Sequence, residues 1–255
     1  MQVSQITGCA KMRIMLLTGL ICVGICSDCF AQSSSRSGRR GKRSVATNYV
    51  DQAEQAQQRG DIDQALSLLN EAIRRDAQNA RAYFLRAEIN MSSGNASKAL
   101  PDYDVAAKLE PQEPVVFLRR GKCLTANKEF DKAIEDFNSA LKLEANSAPA
   151  YYLRGDAYFQ KNSLDEALKD FEQAIQLDAK REIFFVGRGN VLLAQGKADK
   201  AIEDANKAVS LNDQNVAALE LRAKVYRKLN QAEKAKADEA AAQKLKAATK
   251  STDKK

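Results

Sequence analysis

The chain contains no histidine. That removes the side chain most often used as a general base near neutral pH and the commonest nitrogen ligand for metals. No glycine-rich phosphate loop, nucleophile elbow or cysteine pair stands in its place, and neighbouring carboxylates such as Asp165 and Glu166 read as ordinary helix-start acids. Composition therefore argues against an enzyme, and no cofactor, metal or small-molecule substrate is expected. Tryptophan is also missing, aromatics make up 6% of the residues, and there are four prolines. With so few helix breakers and so much Ala, Leu, Gln, Glu and Lys, an all-α chain is expected.

Cysteine is scarce and unevenly placed. Cys9, Cys22, Cys26 and Cys29 lie near the N-terminus and only Cys123 lies beyond. The first four share a segment with an apolar run, Ile14 to Cys26, which follows Lys11 and Arg13. Small residues at Cys29 and Ala31 complete the layout of a secretory signal peptide over residues 1–31. Met12 offers an alternative start that would give a more compact signal. Thirteen apolar residues are too few to span a bilayer, which takes about 20. Membrane contact is therefore expected only through this signal, before cleavage. The chain is expected to be exported, to the periplasm, cell envelope or extracellular space. Without residues 1–31 only Cys123 is left, so no intramolecular disulfide is expected.

The positive charge is also misplaced for nucleic-acid binding. Of the +7 net charge, +6 follows Ala31, and Arg36, Arg39, Arg40, Lys42 and Arg43 supply five of that. Residues 45–255 sum to +1. A basic groove would need the charge along one face of the folded part. It lies instead in a Ser/Gly/Arg stretch, 32–45, that reads as a flexible linker. Nucleic acid is thus not the expected partner. Tethering to an anionic surface through this linker and the Lys-rich tail, 250–255, is a subsidiary reading.

The remainder is strongly periodic. Alanine stands at 65, 99, 133, 167, 201 and 235, and again at 72, 106, 140, 174, 208 and 242, in steps of 34. A third small position reads Ala53, Ala87, Gly121, Gly155, Gly189 and Ala223. Four residues before it stand Tyr49, Tyr83, Phe117, Tyr151, Phe185 and Leu219. Tyr151, Gly155 and Tyr158 fall on one face of a first helix, and Ala167, Phe171 and Ala174 on one face of a second. Gly60, Gly94, Asn162 and Gly196 mark the turn between them. Asp63, Ser97, Asp131, Asp165 and Asp199 are expected to cap or charge the second helix. Pro101 is a misfit, placed by a Ser97 cap at the end of that helix's first turn.

These features resemble the tetratricopeptide repeat family, whose unit is a 34-residue helix–turn–helix. The resemblance runs without insertion over six copies, 46–79, 80–113, 114–147, 148–181, 182–215 and 216–249. It implies a right-handed superhelical solenoid in which neighbouring copies bury one another's apolar faces. The last copy, with Glu239 in place of the second-helix aromatic, reads as a terminal cap. One departure from the family pattern is self-consistent. Arg86, Arg120, Arg154, Arg188 and Arg222 occur in the same copies as Asp102, Asp136, Asp170, Asp204 and Asp238, and the first copy lacks both, with Gln52 and Leu68. This co-occurrence points to structural Arg–Asp ion pairs between the two helices of each copy, or else between adjacent copies.

In the family, first helices line a concave face. The resemblance puts Phe84, Glu88, Met91, Leu118, Lys122, Tyr152, Asp156, Phe159, Val186, Asn190 and Leu193 there, as an apolar stripe flanked by charges. Such a stripe suits an extended or helical peptide. The family's Lys/Asn arrangement for clamping chaperone C-termini is absent from every copy. The expected function is a non-catalytic protein-interaction scaffold or assembly factor. The competing reading is a self-associating module that forms a homo-oligomer.

Overall fold

The computed structural model describes residues 45–252, and the readings made for residues 1–44 and 253–255 lie outside them. Twelve helices follow one another in pairs among the described residues. They are α1 (Val45–Gln58), α2 (Ile62–Arg75), α3 (Ala80–Ser92), α4 (Ala96–Leu109), α5 (Pro114–Ala126), α6 (Phe130–Leu143), α7 (Ala148–Gln160), α8 (Leu164–Leu177), α9 (Glu182–Ala194), α10 (Ala198–Leu211), α11 (Val216–Lys228) and α12 (Ala232–Thr252). The last helix reaches Thr252, past the boundary at 249 drawn from the repeat length. Residues 240–249 are mostly Ala, Lys, Gln and Leu, all strong helix formers, and offer no reason to stop there.

Each first helix ends in the same way. The backbone N–H groups of Asp61, Asn95, Glu129, Ser163, Lys197 and Gln231 donate to the carbonyls of Ala56, Asn90, Leu124, Tyr158, Leu192 and Tyr226, at 2.8–2.9 Å. This six-to-one closure requires a left-handed residue just before it. Gly60, Gly94 and Gly196 supply φ of 81°, 75° and 76°. Lys128, Asn162 and Asn230 take the same role at 64°, 66° and 57°. Asn230 carries the same signal as Asn162, and the turn is written by backbone geometry even at Lys128, which is neither Gly nor Asn.

The second helices begin two residues earlier than their acids suggest. Asp61, Asn95, Glu129 and Ser163 occupy the N-cap positions, and of these the Asp61 side chain accepts from the Gln64 N–H. Asp63, Asp131, Asp165 and Asp199 sit inside the first turn, where they oppose the positive end of the helix dipole. Ser97 is already helical, so Pro101 lies two residues deeper in α4 than a Ser97 cap would put it. It cannot donate to the carbonyl four residues back.

The small residues set how closely the helices approach. Among the two alanine series of the second helices none is more than 3% exposed. A Cβ on Gly121 would lie 2.6 Å from the Phe137 ring, and one on Gly187 2.5 Å from the Phe171 ring. Each of these aromatics is at most 1% exposed and has no room to withdraw.

Each second helix before α12 packs on the first helices before and after it. From α3 onward, successive first helices also touch one another, so they form the inner row of an all-α solenoid. Both ends of the stack are polar. Where inner copies bury Ala82, Val116, Ala150, Phe184 and Ala218, the first copy exposes Asn48, and Gln55 replaces the buried series Ile89, Cys123, Ala157, Val191 and Val225. At the other end Lys236, Glu239 and Gln243 stand where α8 has Leu168, Phe171 and Ile175. Among the described residues, the positions that bury apolar side chains between inner copies are polar at both ends.

Replacing Lys128 by glycine removes the cost of holding a β-carbon in the left-handed region, at an exposed position with no helix to weaken. Lys128→Gly is expected to raise unfolding free energy by about 1 kcal/mol. The midpoint of urea denaturation checks this, and an unchanged or lowered midpoint would contradict it.

Candidate partner-binding face

The inner row is positioned by a clamp repeated five times. Arg86 donates from Nε and Nη2 to the two oxygens of Asp102, at 2.7 and 2.6 Å. Arg120 and Asp136, Arg154 and Asp170, Arg188 and Asp204, and Arg222 and Asp238 repeat this two-pronged arrangement at 2.6–2.9 Å. Each pair joins the first helix of a copy to its own second helix. Each guanidinium also lies 5.5–6.0 Å from the ring centre of an aromatic on its own helix, Tyr83, Phe117, Tyr151, Phe185 and Tyr226 in turn. The carboxylates are 3–7% exposed. Hydrogen bonding to its aspartate holds each arginine above its ordinary pKa.

In three copies the arginine reaches backward as well. Nη1 of Arg86, Arg120 and Arg154 donates to Asn70, Asp104 and Asn138, on the second helix of the preceding copy, at 2.6, 3.1 and 2.5 Å. Of the two pairings open from the sequence, the one within each copy is the one formed, and the backward contacts go to a different set of acceptors. One guanidinium closes its own copy and fastens it to the previous one. The backward acceptors did have a signal: side chains able to accept recur at 70, 104, 138, 172 and 206, each 16 residues before an arginine.

The residues expected on the concave face divide into three groups. Phe84 and Val186 are buried, and Phe84 meets Tyr103 edge-on at 6.0 Å, so both belong to the packing between helices. Tyr152 is half-buried, its ring set against Phe171 and Phe184 at 5.8 and 5.3 Å. Burial, with the nearby Asp156 charge, raises its hydroxyl above the ordinary tyrosine range. Met91, Leu118, Phe159, Asn190 and Leu193 keep part of their surface open, and Lys122 is exposed.

The charges of the inner row are treated unequally. In the first two copies they are consumed within the protein. Arg81 of α3 grips Glu54 at 2.6 Å and Asp51 at 3.3 Å on α1, and Glu88 accepts from the Tyr103 hydroxyl and faces Arg119 at 3.6 Å. Two copies on, a pocket of about 460 Å³ opens between α5 and α7, lined by Lys122, Thr125, Lys128, Tyr152, Asp156 and Gln160 among others. Asp156 there accepts one hydrogen bond, from Gln160 at 2.7 Å. Burial raises its carboxyl more than that bond lowers it.

No helix among the described residues is long and apolar enough to cross a membrane. Residues 121–162 and 155–196 match a family model described as TPR repeat, and residues 50–114 and 186–252 match a second, described as tetratricopeptide repeat. Among solved structures, PilW, titled a type IV pilus biogenesis factor, superposes with a TM-score of 0.70 at 19% identity, over 78% of this chain and 92% of that one. A tetratricopeptide repeat protein from Parabacteroides merdae gives 0.67 at 22%, over 76% and 77%. MamA from Desulfovibrio magneticus RS-1 gives 0.62 at 22%, over 67% and 96%. At these identities the likeness is one of fold. Comparison with curated proteins found no match.

Two substitutions test the electrostatics. Arg154→Leu strands the buried Asp170 carboxylate and is expected to cost about 3 kcal/mol or more. Adding Asp170→Tyr, which removes that charge, should restore most of the loss in chemical denaturation; no recovery would mean the arginine acts through its other contacts. Asp156 behaves oppositely. Because the folded state binds its proton more tightly than the unfolded state, stability falls as pH rises through and above the ordinary carboxylate range. Asp156→Asn should therefore raise the melting temperature at pH 7, and the gain should vanish below about pH 4.

Proposed function

The chain belongs to the tetratricopeptide repeat family, and on that premise we propose that it is a non-catalytic, exported scaffold or assembly factor that holds a partner protein on its inner row. Members of this family build binding surfaces from stacked helices. The observation that supports the reading is that Met91, Leu118, Phe159 and Leu193, on four successive first helices, all keep part of their apolar surface open, with Lys122, Asp156 and Asn190 on the same helices. A surface of this kind offers apolar anchors with charges beside them to select among partners.

Two further points support it. The signal-like residues 1–31 favour work outside the cytoplasm, in the periplasm or envelope if the source is bacterial. The superposition on PilW, titled a pilus biogenesis factor, favours an assembly role over an enzymatic one. Self-association by continued stacking is opposed by the polar residues Asn48, Gln55, Lys236 and Gln243 at the two ends.

Met91→Ser, Phe159→Ser and Leu193→Ser combined should keep the helical circular-dichroism signal and lose the partners recovered by affinity capture from an envelope fraction. An unchanged set of partners would move the function off the inner row.

A further inference from the structure

Along the inner row, Glu54, Glu88, Lys122 and Asp156 hold the same position in copies one to four, 34 residues apart. The first two are neutralised from within, by Arg81 and Arg119. Lys122 and Asp156 line one pocket, between α5 and α7, and are not joined to each other or to another charged group by an ion pair. Lys122 is exposed and Asp156 half-buried, and among the charges at this position in the first four copies these two form no ion pair among the described residues, so an occupant with the opposite pattern would meet both.

The spacing says what that occupant looks like. Packed helices lie about 8–10 Å apart, so equivalent residues on α5 and α7 are separated by roughly that distance along the row. An extended segment of polyproline-II type rises about 3.1 Å per residue with about three residues per turn, so residues three apart point the same way about 9 Å from each other. Between the two charges the pocket presents Ala126, Leu153 and the anchored ring of Tyr152. An α-helix reaches that span, about 10.5 Å, only between residues about seven apart, so a three-residue spacing of the two charges is specific to an extended segment.

We propose that the pocket between α5 and α7 is a subsite for an extended segment of the partner protein, with an acidic side chain on Lys122, a basic side chain three residues away on Asp156, and apolar residues between them against Tyr152 and Leu153. This rests on the inner-row reading and makes it specific: the subsite selects by the order of two charges. In the first two copies the same row is closed to such recognition, because Arg81 and Arg119 already occupy the acids.

The test uses three blocked eight-residue peptides, Ser-Gly-Asp-Leu-Leu-Arg-Gly-Ser, the same peptide with Asp and Arg exchanged, and a neutral form with Asn and Gln in their places. Binding to the full chain is followed by calorimetry or by NMR shifts. One charged order should bind about fivefold or more tighter than the neutral peptide, as two such ion pairs allow. The double variant Lys122→Glu/Asp156→Lys, confirmed folded by its melting curve, should prefer the other order. Equal binding of all three peptides, no binding by any, or a preference that survives the exchange would each overturn the subsite. Captured partners keep the two readings apart. If the charge exchange leaves them bound while the Met91, Phe159 and Leu193 variant loses them, the inner row stands as the binding face and the charge-order subsite falls.

Discussion

The rest of the structure depends on the two-pronged contact between an arginine on each first helix and an aspartate on the second helix of the same copy. An α-helical hairpin of 34 residues cannot bury enough apolar surface to hold its own crossing angle, and small residues at the crossing remove the bulk that would otherwise wedge it. A planar guanidinium against a carboxylate fixes both distance and orientation, which alkyl packing does not. The aromatic three or four residues away on the same helix holds the guanidinium from its flank. A buried pair of this kind adds little net stability over good apolar packing, but it penalises any register in which one partner is stranded. Its product is geometric regularity, and an even inner row is the consequence.

Regularity matters because recognition in a solenoid is a matter of which side chains stand in line. Five copies share the clamp, and Arg86, Arg120 and Arg154 extend it to the preceding copy. These are the arginines of copies two, three and four, so the backward links tie together copies one to four, the stretch that contains Glu54, Glu88, Lys122 and Asp156. Within that stretch the position is rigid while its chemistry changes from copy to copy. The first two acids serve the fold, through Arg81, Arg119 and Tyr103. The next two charges remain available, and the raised carboxyl of Asp156 marks a group held in place against its own solvation.

The ends follow the opposite logic. Inner copies bury an uninterrupted apolar series on the face that receives the preceding copy. At the two termini of the stack that series is replaced by Asn48 and Gln55, and by Lys236 and Gln243. Among the described residues the polar positions at the two ends disfavour further stacking along the axis, while the inner side keeps partly open apolar residues.

Much of this was legible in the sequence, because its rules are local. The 34-residue spacing of alanines, the helix periodicity and the co-occurrence of arginine with aspartate state the fold, the number of copies and the clamp within each copy. Asp63, Asp131, Asp165 and Asp199, expected to cap or charge the second helix, charge its first turn, since the closure of the preceding helix places the cap two residues earlier. Lys128 is neither glycine nor asparagine, yet takes the left-handed turn because the surrounding closure requires it. What only the tertiary structure decided is which inner-row residues are surface. Phe84 and Val186 stand at the same repeat position as Leu118 and Tyr152, but neighbouring helices bury the first two, and the pairing of Arg81 with Glu54 and of Arg119 with Glu88 removes two charges while leaving Lys122 and Asp156. Periodicity determines where a side chain is held; whether it remains free depends on what the adjacent copy places against it, and that is a contact between residues about 30 positions apart that no local pattern encodes.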